Sequence, residues 1–103
     1  MKKVLILGST GSIGINALNV IRRFADKFRV VGLTVNSNIS VLREQIDEFH
    51  PDFVVVKDEI KASELAKSRN SGIEILTGES GLIEAAQKTD YDILIGAMVG
   101  FAG

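Results

Sequence analysis

Val4-Leu5-Ile6-Leu7 runs straight into Gly8-Ser9-Thr10-Gly11-Ser12-Ile13-Gly14, and the fold turns on that junction. Four apolar residues in succession suit a strand buried on both faces. The glycine-punctuated turn opens into a helix. Ile13, Ala17, Val20, Ile21 and Phe24 form an apolar stripe, with Asn16, Asn19, Arg22 and Arg23 elsewhere on the surface. Glycines at 8, 11 and 14 let the backbone turn tightly, let a phosphate come close and let the helix pack hard against the strand. The free amides of the first helical turn, Ser12 and Ile13 among them, point outward at the positive end of the helix dipole. The hydroxyls of Thr10 and Ser12 add donors beside them. Strand, glycine turn and helix in that order predict a seat for the pyrophosphate of a dinucleotide, the alternative being a tight turn with a purely structural role. The spacing is G-x-x-G-x-x-G rather than G-x-G-x-x-G, with Ser9 standing where the commoner pattern has its first glycine. A triphosphate loop is excluded, because Ile15 rather than Lys follows Gly14.

Four further apolar runs recur at Val30–Val35, Phe53–Val56, Ile73–Leu76 and Ile93–Ile95. Between the second and third strands, Ile39, Leu42, Ile46 and Phe49 repeat the helical spacing, and His50-Pro51 closes that helix because the residue before proline disfavours helical geometry. Asp58–Arg69 and Ser80–Lys88 read as two more helices. Strands alternating with helices need right-handed crossovers, which build an open parallel sheet covered on both faces. The expectation is a doubly wound α/β fold of Rossmann type, with about five strands in three layers. At 103 residues the chain has room for one core, and no linker or repeat divides it, so residues 1–103 are expected to form one domain. After the fifth strand the sequence runs through an apolar tail to Phe101-Ala102-Gly103 with no closing helix, as expected of a piece of a longer protein.

Lys plus Arg number 12 against 13 Asp plus Glu, a net charge of −1, so no basic field favours nucleic acid or an anionic membrane. Any anion must be gripped locally. With no cysteine there is no disulfide, thiolate metal site or cysteine nucleophile. The run after Met1-Lys2-Lys3 is broken by Gly8, whereas a signal core needs about 7–15 apolar residues. No stretch approaches the roughly 18 needed to span a bilayer. A cytoplasmic protein is the expectation. At the end of the second strand, where an Asp or Glu would bind a ribose 2′-hydroxyl, the sequence reads Asn36-Ser37-Asn38, with Arg43 one helical turn on. Neutral donors there favour NADP over NAD, and the same residues suit a turn and a helix cap. Three other features have plainer readings. His50 suits a helix end, Asp90 and Asp92 suit a solvated turn at the wrong end of a strand for ligand binding, and Tyr91 lacks a Lys four residues on.

Together, Leu7-Gly8-Ser9-Thr10-Gly11-Ser12-Ile13-Gly14, Phe28-Arg29-Val30-Val31, Asn38 and Val99-Gly100-Phe101-Ala102-Gly103 make the chain resemble the amino-terminal domain of the 1-deoxy-D-xylulose 5-phosphate reductoisomerases. The resemblance runs along essentially the whole sequence but covers a fraction of that family's length. It implies an NADPH-dependent enzyme of non-mevalonate isoprenoid synthesis that rearranges a phosphorylated ketose. The aldehyde formed is reduced to 2-C-methyl-D-erythritol 4-phosphate with help from a divalent metal, Mg, Mn or Co. By the same resemblance Thr10, Gly11, Ser12 and Ile13 hold the pyrophosphate region, while Asn36, Ser37 and Asn38 face the adenosine ribose and its 2′-phosphate. Some relatives have Gly-Lys-Asn at those last three positions, so this chain lacks one cation there, and Arg43 is a candidate to compensate. Ala97 through Gly100 would lie near the nicotinamide. No catalytic or metal-binding residue is assigned among the 103, so this piece alone is expected to be inactive, and a homodimer is an open expectation for the full-length protein. Two other readings stay open: the cofactor domain of a semialdehyde or acyl-phosphate reductase, whose cysteine would have to lie further along, and a cofactor-sensing module without catalysis.

Overall fold

Runs of Val, Ile and Leu, with Thr34 the one buried polar residue among them, give the sheet its centre. A computed structural model describes residues 1–68, 72–88 and 90–96. In chain order the elements are β1 (Lys2–Leu7), α1 (Ser12–Arg23), β2 (Phe28–Val35), α2 (Ile39–Phe49), β3 (Phe53–Val56), α3 (Glu59–Ser68), β4 (Glu74–Thr77), α4 (Gly78–Lys88) and β5 (Ile93–Gly96). The strands pair in parallel in the order β4-β3-β2-β1-β5. The chain therefore winds from β1 out to β4, then returns to the opposite side of β1. With right-handed crossovers that reversal moves the covering helix to the other face. Leu18 and Ile21 of α1, Leu42 and Ile46 of α2, and Ala62 and Leu65 of α3 pack with Val4, Ile6, Val54 and Val56. Leu82 and Ala85 of α4 pack with Leu5, Leu7, Phe53 and Val55 on the reverse side. Three layers and a doubly wound topology stand as expected.

Two details differ from the sequence expectation. Of the stripe expected on α1, Ile21 is buried and Ala17 half-buried, while Ile13, Val20 and Phe24 are 59%, 52% and 43% exposed, and the residues buried with Ile21 are Gly14 and Leu18. The face is displaced by one residue, about 100° around the helix. Both frames are rich in apolar side chains, and the packing at Gly14 chooses between them. The outer strands differ as well. All four residues of β3 are buried, whereas β4 and β5 are only partly covered because each has one neighbouring strand in the described sheet.

β2 carries an irregularity that sequence periodicity does not reveal. Val4 pairs with Val30 but Leu5 pairs with Gly32, leaving Val31 as an extra residue. Such a bulge resets the alternation of faces. It is why Val30, Leu33 and Val35, rather than every second residue from 30, share the helix-bearing side of the core.

Local chemistry fixes the helix ends. Asn38 Oδ1 accepts from the Val41 N–H at 3.2 Å to start α2, and Asp58 Oδ1 accepts from Ile60 and Lys61 at 2.9 and 3.1 Å to start α3. α2 ends at His50, which takes a left-handed φ of 49° before Pro51 and sends its own N–H to Ile46 O at 2.9 Å. At the amino edge of the sheet Asp92 Oδ2 accepts from the Lys3 N–H at 2.8 Å, Lys3 Nζ reaches Asp90 at 3.1 Å, and Tyr91 donates its hydroxyl hydrogen to Ala86 O at 3.2 Å. These residues hold β5 onto β1. No helix among the described residues is long and apolar enough to cross a membrane.

Two forked ion pairs close the same edge. Arg22 of α1 grips Glu48 of α2 through Nε and Nη2, the latter at 2.7 Å, and Arg29 of β2 grips Asp52 at 2.5 and 3.0 Å. Hydrogen bonding from the guanidinium, backed by its charge, holds the Glu48 and Asp52 carboxyls below the usual carboxylate range. A carboxyl whose pKa falls on folding stabilises fully above its unfolded value and loses that contribution as pH drops through the folded value. Thermal melts should therefore show a Glu48→Gln/Asp52→Asn double variant melting below wild type at pH 7. The gap should close as pH falls from about 5 toward 3, across and below the ordinary carboxylate range. A gap independent of pH would contradict this account of the pairs.

Candidate functional site

The turn between β1 and α1 lies at the carboxyl edge of the sheet, beside β5 and at the point where the winding reverses. In open α/β sheets that crevice is where ligands collect. Its geometry assigns different work to the three glycines. Gly8 carries the positive φ of 74° that lets the chain leave β1 sharply. Its N–H donates to the carbonyl of Thr34 at 2.9 Å and to the Thr34 hydroxyl at 3.1 Å, and the N–H of Ser9 donates to the same carbonyl at 2.9 Å. The job of the commoner first glycine is thus done one residue earlier, which explains how a buried serine is tolerated at position 9.

Gly14 is where α1 touches the turn. A Cβ there would lie 2.4 Å from Gly8 O and 2.7 Å from Ser9 Cα, both backbone atoms that cannot step aside. Gly11 is different. A Cβ on it would meet only Gly8 O, at an ordinary 3.5 Å, so no atom of the described protein requires glycine at this exposed position. Gly11 is the N-cap of α1 and no side chain caps the helix. The helical ladder begins with the Ile15 N–H donating to Gly11 O at 2.9 Å. Among the described residues no backbone partner is found for the amides of Ser12, Ile13 and Gly14, the donors of the first turn at the positive end of the dipole. Thr10 is half-buried beside them, while Ser12 and Ile13 are exposed. Thr10, Gly11, Ser12 and Ile13, the residues expected to hold a pyrophosphate, lie together at this helix start.

Asn36, Ser37 and Asn38 follow the neighbouring strand, β2, on the same edge, and all three are exposed. Their backbone is pinned: Asn36 O accepts from the Asp58 N–H at 2.9 Å and Ser37 O from the Ile39 N–H at 2.8 Å. Asn38 Oδ1 is spent on capping α2, which leaves its NH₂ group outward. Arg43 does not turn to this loop. Its Nη2 donates to Ser68 Oγ at 3.2 Å, at the end of α3. The carboxylate brought nearest by backbone pairing is Asp58, already committed to two amides of α3. Ala97 through Gly100, and the tail to Gly103, lie outside the described residues.

Comparisons with known proteins show the family. The family model of 1-deoxy-D-xylulose 5-phosphate reductoisomerase matches residues 4–103. The chain belongs to the 1-deoxy-D-xylulose 5-phosphate reductoisomerase family. A reductoisomerase of that name from Thermodesulfovibrio yellowstonii is 52% identical over 103 residues, covering all of this chain and 27% of the relative. One from Thermoanaerobacter pseudethanolicus is 50% identical over the same span and coverage. The chain therefore spans about a quarter of the length of these relatives. Among solved structures, a DOX-P reductoisomerase in complex with NADPH, fosmidomycin and magnesium superposes with a TM-score of 0.86 at 31% identity, over 99% of this chain and 26% of that one. The Zymomonas mobilis reductoisomerase in complex with NADPH does so at 0.77 and 32%, over 82% of this chain and 23% of its own. Family membership sets aside the semialdehyde and acyl-phosphate reductase reading.

Sequence reasoning missed two residues that hold the β1–α1 turn from other elements: Thr34 of β2 and Gln45 of α2. Thr34 is 2% exposed and supplies the acceptors for Gly8 and Ser9. Gln45 Nε2 donates to Ser9 O at 2.8 Å. Gln45 had a visible signal, since it falls three residues after Leu42 on the apolar side of α2. Among the described residues no group of three or more His, Cys, Asp or Glu is placed to hold a metal ion, so none is assigned to one.

Gly11 and Gly14, three residues apart at the start of α1, should separate fold from site. Urea unfolding should show Gly14→Ala losing about 1–3 kcal/mol through overpacking, with Gly11→Ala staying within about 1 kcal/mol of wild type. Equal losses would mean that both glycines serve the fold alone.

Proposed function

We propose that residues 1–103 form the NADPH-binding domain of an enzyme converting 1-deoxy-D-xylulose 5-phosphate to 2-C-methyl-D-erythritol 4-phosphate with a divalent metal. The observation that carries it is the Gly11 step. Among the described residues, an uncapped helix N-terminus presents amides without a partner, and the one glycine of the turn with no steric reason stands directly before them. A pyrophosphate supplies the missing acceptors and occupies the space a side chain would fill. NADPH bound there supplies the hydride for reduction.

The chain's own part is binding and orientation. Amides of Ser12 and Ile13 fix the pyrophosphate without spending side-chain entropy, and the Thr10 and Ser12 hydroxyls add hydrogen bonds that tolerate its charge. The loop Asn36-Ser37-Asn38 offers neutral donors to the 2′-phosphate, and no carboxylate in it repels the phosphate. Asp58 close by has its charge turned into α3, where the helix dipole and two N–H groups hold it. The relatives' names and the NADPH complexes of the solved reductoisomerases support the same reading.

The test is a titration of the complete protein with NADPH and NADH, followed by nicotinamide fluorescence. NADPH should bind more tightly than NADH. Ser37→Asp should weaken NADPH at least tenfold, by about 1.4 kcal/mol or more, and leave NADH within about threefold, because a carboxylate repels only the 2′-phosphate. A folded protein that binds neither coenzyme, or prefers NADH, would overturn the proposal. Oxidation of NADPH only when the ketose phosphate and a divalent metal are both added separates an enzyme from a sensor.

A further inference from the structure

A glutamine on the core face of a helix is costly unless its amide is used. Gln45 is 7% exposed, and its Nε2 donates to the carbonyl of Ser9, itself fully buried, across 36 residues of sequence. It makes this bond at a price in polar satisfaction, since Gln45 Oε1 and Ser9 Oγ are both buried without a partner among the described residues. A side chain selected for stability alone would not leave two polar atoms orphaned beside one good hydrogen bond.

What the bond holds explains the arrangement. The Ser9 N–H is fixed to Thr34 O on β2, and the Ser9 C=O is fixed to Gln45 on α2. Those two bonds clamp the peptide groups on either side of Ser9, immediately before Thr10 and Gly11. The Ser9–Thr10 peptide group is the one whose rotation would swing a carbonyl toward the open edge. A carbonyl oxygen presented there would set a partial negative charge against an incoming phosphate. With the carbonyl drawn back to α2, the amides of the first turn meet the anion unopposed.

From this we infer that Gln45 is a positioning residue for coenzyme binding: by holding the Ser9 carbonyl inward it keeps the Thr10–Ile13 turn in its anion-accepting form. The inference rests on the NADPH reading above. It adds a determinant that touches no coenzyme and lies on a different element from the glycine turn.

The experiment compares Gln45→Met and Gln45→Glu with wild type in the complete protein. Met keeps the length and removes both the donor and the orphaned acceptor; ionised Glu keeps the shape and cannot donate. Thermal melts, NADPH dissociation constants and steady-state kinetics are measured on each. Gln45→Met should melt within a few degrees of wild type yet bind NADPH at least tenfold more weakly. Its KM for NADPH should rise by a similar factor, with kcat at saturating NADPH within about twofold, because the chemistry is untouched once the coenzyme is seated. Gln45→Glu should weaken NADPH at least as much. If the Glu variant does not fold, the Met variant carries the test alone. Wild-type affinity in a folded Met variant would overturn the inference. So would a loss of affinity matched by a large fall in melting temperature, which is what a purely structural glutamine gives. A wild-type protein that binds neither coenzyme overturns the coenzyme reading and this inference together, whereas tight wild-type binding with indifferent variants overturns only this one.

Discussion

The close contact between the start of α1 and the end of β1 is the constraint from which the rest follows. Backbone meets backbone where Gly14 passes Gly8 and Ser9, at a distance that leaves no room for a Cβ. Once that contact forms, the rotation of α1 about its axis is settled: Leu18 and Ile21 turn inward, and Ile13 and Val20 turn out. The same contact aims the first-turn amides along the carboxyl edge of the sheet. Packing and binding share a cause, because a helix seated this tightly cannot turn its N-terminus away from the crevice.

The architecture was readable because its signals are local and redundant. β1 and β3 carry the unbroken apolar runs Val4–Leu7 and Phe53–Val56, and the run in β2 is interrupted only by Gly32 and Thr34. The glycine turn sits between a strand and a helix, and His50-Pro51 closes α2 by sterics alone. The order of elements then leaves little choice of topology, since parallel pairing with right-handed crossovers builds a covered open sheet. The sharp turn from β1 into α1 was legible for the same reason. It is made of backbone, and glycine spacing is how a sequence records backbone geometry.

What was not legible depends on contacts between distant residues. The face of α1 could not be fully decided from spacing, because Ile13-Ala17-Val20-Ile21-Phe24 and Gly14-Leu18-Ile21 are both plausible stripes and share Ile21. Only the contact of Gly14 with Gly8 and Ser9 selects the second. The bulge at Val31 leaves no mark in a run whose residues are apolar on both sides of it, yet it decides which of them share the α2 side of the core. Thr34 looked like one more β-branched strand residue, and its role appears only when its carbonyl and hydroxyl are found receiving the amides of the turn. Arg43 misled in the opposite sense: sequence proximity suggested a cation for the loop after β2, but the helix carries its guanidinium to Ser68.

A chain with a net charge of −1 reads at first as a poor host for a polyanion. The arrangement of its charges removes the difficulty. The forked pairs Arg22–Glu48 and Arg29–Asp52, with Lys3–Asp90, lie at the amino edge and neutralise one another there. The carboxylate that pairing brings closest to the loop after β2 belongs to Asp58, and it is turned onto amides of α3. What faces the carboxyl edge at the β1–α1 turn is therefore a set of fixed N–H dipoles rather than a competing pool of side-chain charge. Dipoles of this kind are oriented before the ligand arrives, at a cost already met by folding. Local backbone geometry, and not the sign of the whole molecule, sets what this edge accepts.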